Sequence, residues 1–275
     1  MSALRTLRLF TYDAYAKVFG SAHTWRINDA VLDMALRARG YGISGSIHKT
    51  GEQSFISLLA RGRVDLCVDV GANLGEYSEA LLQATGATVI AFEPLPQTHA
   101  KLAGLAARYP GRFTAVNKGV ADVEGQLDLH WGNNSQLASF SKEVLAIEYV
   151  GACNVNRTSV PVVTLDSYFA SEGREFADRE ITLLKIDTEG FEYEVLQGAQ
   201  RTLGERRPRY VQVEFNQHQL LRGHTLYSLS RFLPDYRVYQ ILPGNRGLRA
   251  VSPEDPVANI FGYSNFVLVR PDTDV

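Results

Sequence analysis

Cysteine is scarce in this sequence, with two residues, Cys67 and Cys153, in a chain of 275. Two cysteines are too few for a disulfide scaffold, and no C-x-x-C pair is present to hold zinc. Cys67 stands inside an apolar run. We therefore interpret both cysteines as small core residues, and the sequence excludes a disulfide-stapled or cysteine-bound zinc protein.

Long apolar runs are also missing, since none approaches the ~18 residues of a membrane span. The first twenty residues carry Arg5, Arg8, Asp13 and Lys17 among their apolar positions. These charges interrupt the apolar stretch that a secretory signal needs. We therefore expect no membrane span and a cytoplasmic location.

The chain has no strong excess of charge of either sign. Its 28 Lys and Arg nearly balance its 30 Asp and Glu, for a formal net charge of −2. A domain that binds nucleic acid typically shows a pI above ~9. The balance therefore predicts a small-molecule partner rather than nucleic acid.

From residue 64 onward, the sequence alternates short apolar runs with helical patterns. Such an alternation predicts an α/β fold, a doubly wound and mostly parallel seven-stranded sheet whose last two strands form an antiparallel pair. The seven predicted strands are 64–70, 87–92, 113–116, 181–186, 210–215, 237–242 and 266–269. Helices are predicted at 76–84, 97–108 and 191–203, and two further strands at 126–131 and 159–163.

The first 63 residues have a different, helical texture. Apolar residues at spacings of three and four predict one stripe along the first helix, which we expect to pack on protein rather than to lie on a membrane. The stripe comprises Leu4, Leu7, Phe10, Ala14 and Val18. The predicted organisation is a helical extension, 1–63, followed by one α/β domain, 64–275.

A glycine turn directly follows the first strand of that domain, in the run Asp69-Val70-Gly71-Ala72-Asn73-Leu74-Gly75. Glycine lets a ligand approach the backbone, and the N–H groups of the next helix favour a polar or negative group. Asn73 and Glu76 stand where the dinucleotide fingerprint G-x-G-x-x-G has its second and third glycines. The departure disfavours NAD, although a nucleotide-dependent oxidoreductase stays an alternative.

Acidic side chains follow three further strands. Glu93 ends the second strand, 18 residues after Gly75, where a carboxylate can accept hydrogen bonds from the ribose hydroxyls of an adenosine ligand. Asp187 and Glu189 follow the strand 181–186, and Glu214 ends the next one. Ligands bind in the crevice outside such strand ends, although Asp187 can also cap the helix that follows.

Taken together, these motifs resemble the FkbM-type methyltransferases. The resemblance spans 64 to about 269 and is most specific in the run Lys185-Ile186-Asp187-Thr188-Glu189-Gly190. It implies S-adenosylmethionine (SAM) as cofactor and O-methylation of a hydroxyl on a sugar, glycan or polyketide-like small molecule. In this reading the extension covers the acceptor site or makes a homodimer contact. A non-catalytic module with the same fold is a further alternative.

The resemblance also implies roles for individual residues. Asp69, Gly71 and Gly75 would surround the methionyl part of SAM, Asn73 and Ser78 would add polar contacts, Glu93 would hold the ribose and Asp122 the adenine. Asp187 would lie near the transferable methyl group.

Methyl transfer to a hydroxyl needs in-line alignment and a group that removes a proton. The candidate bases are Asp187, Glu189, Glu214 and His218; a carboxylate would need a pKa raised by burial, whereas histidine titrates near neutrality as a residue type. A magnesium ion held by the three carboxylates is conceivable, but we assign no metal ligand because the sequence fixes no geometry.

The acceptor is less well defined by the sequence. The polar segments 132–136 and 149–158 either contact a sugar through amide and hydroxyl groups or are solvated loops. Arg222 and His224 would suit a phosphate, but a solvated loop is the simpler interpretation.

Overall fold

The computed structural model describes the backbone of residues 3–274 and the side chains from residue 9 onward. The chain divides into two compact units, one up to Gly42 and one from Ile43. The first contains helices α1 (Ala3–Phe19) and α2 (Trp25–Ala38). Tyr15 of α1 donates a hydrogen bond to Asn28 of α2 (2.8 Å).

The apolar stripe predicted for α1 is exposed where the structure describes it. Phe10 is 71% exposed and Val18 is 66% exposed. The side chains of Leu4 and Leu7 lie outside the described residues. The role of the extension as an acceptor cover or dimer contact stays a prediction.

An eight-stranded sheet forms the centre of the second unit, in the order β10-β9-β11-β8-β7-β1-β2-β3. Strands β1, β2, β3, β7 and β8 pair in parallel, and β9, β10 and β11 pair antiparallel. The strands are β1 Leu66–Val70, β2 Thr88–Phe92, β3 Phe113–Val116, β7 Ile181–Ile186, β8 Tyr210–Phe215, β9 Arg237–Ile241, β10 Leu248–Ala250 and β11 Ser264–Val269.

A second sheet of three strands lies between β3 and β7 in the sequence. It is formed by β4 (Gly119–Val120), β5 (Gly125–Trp131) and β6 (Asn156–Val163), in the order β4-β6-β5. Strands β5 and β6 pair over seven residues as an antiparallel ladder. Both strands predicted in this irregular region are therefore present.

Short helices connect the strands of the second unit. They are α3 Ile47–Thr50, α4 Glu52–Leu59, α5 Glu76–Ala84, α6 Pro96–Arg108, α7 Glu148–Cys153, α8 Leu165–Ala170, α9 Glu192–Gln197, α10 Gln217–Arg222 and α11 Leu226–Ser230. Pro96 suits the first turn of α6, where its missing N–H breaks no helical bond. No described helix is long and apolar enough to cross a membrane.

The core explains why the central strands are continuous apolar runs. Every residue of β1, β2, β7 and β8 is buried, as expected for parallel strands covered on both faces. Leu81 of α5, Leu102 of α6 and Phe55 of α4 are buried in one cluster with Cys67 and Leu183 of the sheet. The prediction that Cys67 is a core residue is confirmed.

The predicted α/β fold is confirmed, with three differences of detail. The sheet has eight strands, not seven, because the turn-rich segment after β9 adds the short strand β10. The helix predicted at 191–203 is α9 followed by a separate wide turn, Thr202–Arg206. The two units divide at Gly42 rather than residue 63, since Phe55, Ile56 and Leu59 of α4 belong to the core of the second unit.

Candidate active site

Four strand ends lie side by side at the carboxyl edge of the sheet. Val70 of β1 is in register with Phe92 of β2 and with Ile186 of β7, and Ile186 is in register with Val213 of β8. The residues that follow therefore share one edge. The strand order reverses between β1 and β7, and such a switch point is where open α/β sheets bind ligands.

A cavity of about 610 Å³ opens above these strand ends. Seven of the residues singled out in the sequence line it: Gly71, Asn73, Glu93, Asp187, Glu189, Glu214 and His218. The sheet thus brings together motifs that are more than one hundred residues apart in the chain.

The glycine turn after β1 is required by close packing against the end of β7. Gly71 has φ +83°, and a Cβ at this position would lie 1.8 Å from the carbonyl oxygen of Asp187. Asn73 also adopts a left-handed conformation, φ 47°, which Asn tolerates better than most residues. The backbone of Asp187 occupies the space that a side chain at position 71 would need, so no other residue fits in place of Gly71.

Glu93 receives two backbone hydrogen bonds at the mouth of this turn. One oxygen accepts from the N–H of Asn73 (2.9 Å) and the other from the N–H of Leu95 (2.8 Å). Burial raises the pKa of Glu93 to about 7, although both hydrogen bonds lower it. Each oxygen keeps a second lone pair, so the ionised carboxylate can still accept from two ligand hydroxyls.

An ion pair centred on buried Lys185 lies at the cavity floor. Lys185 of β7 donates to Asp187 (2.9 Å) and lies 3.6 Å from Asp69. Asp69 accepts from Ser78 (2.7 Å), while its other oxygen has no hydrogen-bond partner among the described residues. Burial lowers the pKa of Lys185, but Asp187 and Asp69 together raise it above its ordinary value.

Three carboxylates lie close together at the ends of β7 and β8. Asp187, Glu189 and Glu214 each bring an oxygen within 4.8 Å of the others. Burial raises the pKa of Glu189 to about 7, and Asp187 adds to the effect. Burial also raises the pKa of Glu214, assisted by Asp187 and Glu189. Glu189 has φ 54°, a conformation that is costly for a non-glycine residue and typical of functional sites.

His218 of α10 lies next to this carboxylate cluster and is 1% exposed. Its Nδ1 is 3.0 Å from Oε2 of Glu189, but neither ring nitrogen forms an aligned hydrogen bond within the described part of the chain. The side chain of Asn216 caps α10 by accepting from the His218 N–H (2.7 Å). Gly190 lets the loop that carries Glu189 pack closely against His218, because a Cβ at position 190 would lie 3.0 Å from the Cβ of His218.

Buried Glu192 fixes the loop that carries Glu189. Its carboxylate accepts from the N–H of Thr188 (2.8 Å) and the N–H of Gly190 (3.1 Å). Gln219 of α10 donates to the same carboxylate. The loop and α10 are therefore held together by one side chain, which keeps Glu189 and His218 in contact.

Four residues assigned to the cofactor do not line the cavity. Asp69 and Ser78 lie below it, joined by their hydrogen bond. Gly75 packs instead against α6, where a Cβ would meet Leu102 at 2.8 Å. Asp122 lies beside the end of α9, and the cavity is lined on that side by Lys118, Gly119 and Val120.

Several residues that line the cavity had no predicted role. Tyr77, Glu52 and Lys185 lie along its floor. Tyr77 donates to Gln212 (2.6 Å), which in turn donates to Glu52 (2.8 Å). Lys185 could have been found in the sequence, because a charged residue inside a mostly apolar strand indicates a buried ionic partner. Glu52 offered no signal, because it is 160 positions away from Gln212.

Of the polar segments considered for the acceptor, residues 134–136 and Tyr149 face the cavity, and the rest of 149–158 does not line it. Residues 134–138 and Phe140 line it, as do Tyr149 and Gln217, which are joined by a hydrogen bond of 2.7 Å. Arg222 and His224 are engaged elsewhere. Arg222 forms ion pairs with Glu143 and Glu194, and His224 stacks on Tyr193.

The sequence was compared with models of known protein families. Residues 69–237 match the model of the methyltransferase FkbM domain, so the strand ends and the glycine turn lie within such a domain. The chain is a member of the FkbM methyltransferase family. This membership decides against the nucleotide-dependent oxidoreductase.

A curated relative is hexuronic acid methyltransferase AglP of Haloferax volcanii, 29% identical over 155 residues. The match covers 56% of this chain and 58% of the relative, so the chain spans less than two thirds of that protein.

Two solved structures are similar in outline. One is a 1,6-didemethyltoxoflavin-N1-methyltransferase of Burkholderia thailandensis with bound S-adenosylhomocysteine, with 13% identity, coverage of 99% and 92% of the two chains, and a TM-score of 0.41. The other is a precorrin-6y C5,15-methyltransferase of Geobacter metallireducens, with 12% identity, coverage of 84% and 95%, and a TM-score of 0.40. Neither likeness is close enough to carry an argument about activity.

The residues present fit SAM as the cofactor. The turn at Gly71 has no room for a Cβ and exposes backbone to the cavity. Glu93 keeps lone pairs for ribose hydroxyls, and the acidic lining suits a sulfonium cation. Lys118, Gly119 and Val120, not Asp122, line the wall after β3.

Proposed function

We propose that this methyltransferase transfers the methyl group to a hydroxyl oxygen of a sugar, glycan or polyketide-like small molecule. The observation that carries this proposal is the contact between Glu189 and buried His218 at the wall of the cavity. A hydroxyl is a poor nucleophile until its proton is removed. A paired histidine and carboxylate is an arrangement that accepts such a proton.

The cofactor side of the cavity is assigned to Gly71, Asn73 and Glu93. Glu93 holds the ribose hydroxyls, and the Gly71 turn accommodates the methionyl part. Asp69 and Ser78 orient Lys185 and the base of the turn rather than touching the cofactor. When bound, SAM supplies a methyl group on a positively charged sulfur.

The acceptor side is assigned to Asp187, Glu189, Glu214 and His218. His218 accepts the hydroxyl proton, and Glu189 stabilises the imidazolium that results. The acceptor oxygen forms its bond to the methyl carbon as the carbon–sulfur bond breaks, and sulfur keeps the electron pair. Asp187, next to Gly71, lies between the two sides and aligns the reacting groups.

The lining of the outer cavity supports a polyhydroxylated acceptor. Ser135, Gln136 and Gln217 offer neutral hydrogen-bonding groups, and Phe140 and Tyr149 offer aromatic faces. The relative from Haloferax volcanii, named as a hexuronic acid methyltransferase, points in the same direction.

Labelled SAM with a panel of hydroxylated acceptors tests the proposal. We expect transfer to at least one sugar, glycan or polyketide-like hydroxyl, and at least a ~10²-fold loss in His218→Gln, the scale of a lost general base. S-adenosylhomocysteine binding serves as the folding control. Transfer to nitrogen or carbon acceptors alone, or full activity in His218→Gln, would contradict the proposal.

A further inference from the structure

The three carboxylates of the acceptor side have too little positive charge nearby to neutralise them. Asp187 is paired with Lys185, which is shared with Asp69. Glu214 accepts a hydrogen bond from the neutral side chain of Asn216. Burying charges without ionic partners is costly; the raised pKa values of Glu189 and Glu214 reflect that cost, and a bound cation would remove it.

His218 provides an independent sign that a group is missing at the cluster. Its side chain is buried, lines the same cavity and points Nδ1 at Glu189, 3.0 Å away. Neither ring nitrogen has an aligned hydrogen bond to any residue that the structure describes. Buried polar atoms are nearly always satisfied; Nδ1 already lies within 3.0 Å of Glu189, so Nε2 is the atom that lacks a ligand or water.

The spacing of the carboxylate oxygens matches the coordination sphere of a hard divalent cation. Two ligands on opposite sides of Mg²⁺ lie about 4.2 Å apart, and those of Ca²⁺ about 5 Å, twice their usual ligand distances. The oxygens of Asp187, Glu189 and Glu214 fall within 4.8 Å of one another. Adjacent ligands of an octahedral Mg²⁺ lie about 3 Å apart, so the three side chains would draw together to share one ion.

We propose that Asp187, Glu189 and Glu214 bind one divalent cation of the Mg²⁺ type at the end of β7 and β8. Three protein oxygens leave coordination positions open toward the cavity. Those positions take water in the free protein and hydroxyl oxygens of the acceptor in the complex. This inference rests on the proposed function, since the ion orients the acceptor hydroxyl and makes its proton easier to remove.

The ion and His218 have separate tasks. The carboxylates coordinate the cation, while His218 remains the group that accepts the proton of the acceptor hydroxyl. Diols of a sugar ring can offer two adjacent oxygens to one ion, so the site would select acceptors with neighbouring hydroxyl groups.

A titration of the untagged 275-residue chain with Mn²⁺ tests the site directly, with free Mn²⁺ measured by its electron paramagnetic resonance signal. We expect saturation at one Mn²⁺ per chain and displacement by Mg²⁺. Glu189→Gln and Glu214→Gln should each weaken Mn²⁺ binding at least tenfold, with S-adenosylhomocysteine binding showing that the variants fold.

Glu93→Gln is the matched control, because Glu93 is a buried carboxylate of the same cavity outside the cluster. It should keep Mn²⁺ binding while weakening the cofactor. The absence of saturable Mn²⁺ binding by the unsubstituted chain, or binding unchanged in both cluster variants, overturns the site. The Mn²⁺ titration of the unsubstituted chain tests the site even if a variant does not fold.

Activity in a chelator separates this inference from the proposed function. A chain that methylates hydroxyl groups at full rate in EDTA and binds no Mn²⁺ overturns the site and supports the function. A chain that binds Mn²⁺ through the cluster but methylates no hydroxyl supports the site and contradicts the function.

Discussion

The two sides of the cavity handle their carboxylates in opposite ways. On the cofactor side, Glu93 is fixed by two backbone N–H groups and Asp69 by Ser78. On the acceptor side, Asp187, Glu189 and Glu214 bring oxygens within 4.8 Å of one another. The carboxylates of one side are fixed separately by hydrogen bonds from their own surroundings, whereas those of the other side lie close to one another.

This difference indicates which kind of change damages each side. The cofactor side depends on backbone shape, because the turn at Gly71 is closed against Asp187. The acceptor side depends on charge, because its side chains are held in place by Lys185, His218 and Asn216. Backbone substitutions should therefore affect binding and stability first, and charge substitutions should affect turnover first.

Gly71→Ala should produce the largest effect. A Cβ 1.8 Å from a backbone oxygen, at φ +83°, cannot be relieved by side-chain movement. We expect a loss of about 3 kcal/mol or more in the free energy of unfolding, together with loss of SAM binding, measured by denaturant unfolding and calorimetry. Gly104→Ala in α6, where a Cβ meets nothing within 4 Å, is the control. A Gly71→Ala chain as stable as wild type would show that the cofactor side does not depend on the backbone shape of this turn.

Asp187→Asn should separate the two sides. Removing this charge leaves Lys185 with Asp69 and keeps the shape of the turn, so SAM binding should stay within a few-fold of wild type. Methyl transfer should fall ~10²-fold or more, the scale of a lost acid–base or positioning group. Single-turnover kinetics beside calorimetry measure both. Normal turnover would show that the charge is not needed.

Glu93→Gln should weaken SAM without changing the rate of transfer at saturation. Gln offers one carbonyl oxygen where two carboxylate oxygens accept backbone and ribose hydrogen bonds. A hydrogen bond to a charged group contributes roughly 1.5–3 kcal/mol, so the Kd should rise about tenfold or more. Calorimetric titration tests this effect, and an equal loss in the saturated rate would place Glu93 on the acceptor side instead.

The pH dependence of SAM binding should be the smallest of these effects and is specific to Glu93. Its pKa is raised to about 7 by burial, so the carboxyl group is largely protonated at pH 6 and ionised at pH 8. Only the ionised form accepts both ribose hydrogen bonds. Affinity should therefore rise about tenfold from pH 6 to pH 8, following the ionised fraction, and this dependence should vanish in Glu93→Gln. A pH-dependent Glu93→Gln would assign the titration to another group.

The sequence predicted the parts of the site that are local in the chain. The turn at Gly71, the carboxylate at Glu93 and the loop after β7 each lie within a few residues of a buried strand, so strand pattern and residue type located them together. The adenine contact of Asp122 was implied only by the family resemblance; Asp122 does not line the cavity, and Lys118, Gly119 and Val120 do. Glu52 reaches the cavity through α4, which pattern alone placed outside the α/β domain.

The order of strands and helices and the residue types at each strand end can be predicted from the sequence, because periodicity and glycine placement act over a few residues. Which strand ends meet depends on the tertiary fold. The register of β7 between β1 and β8 brings Asp187, Glu189 and Glu214 together, and α10 adds His218. These side chains meet because segments far apart in the sequence pack together around the sheet. The resulting burial also raises the pKa of Glu189 and of Glu214.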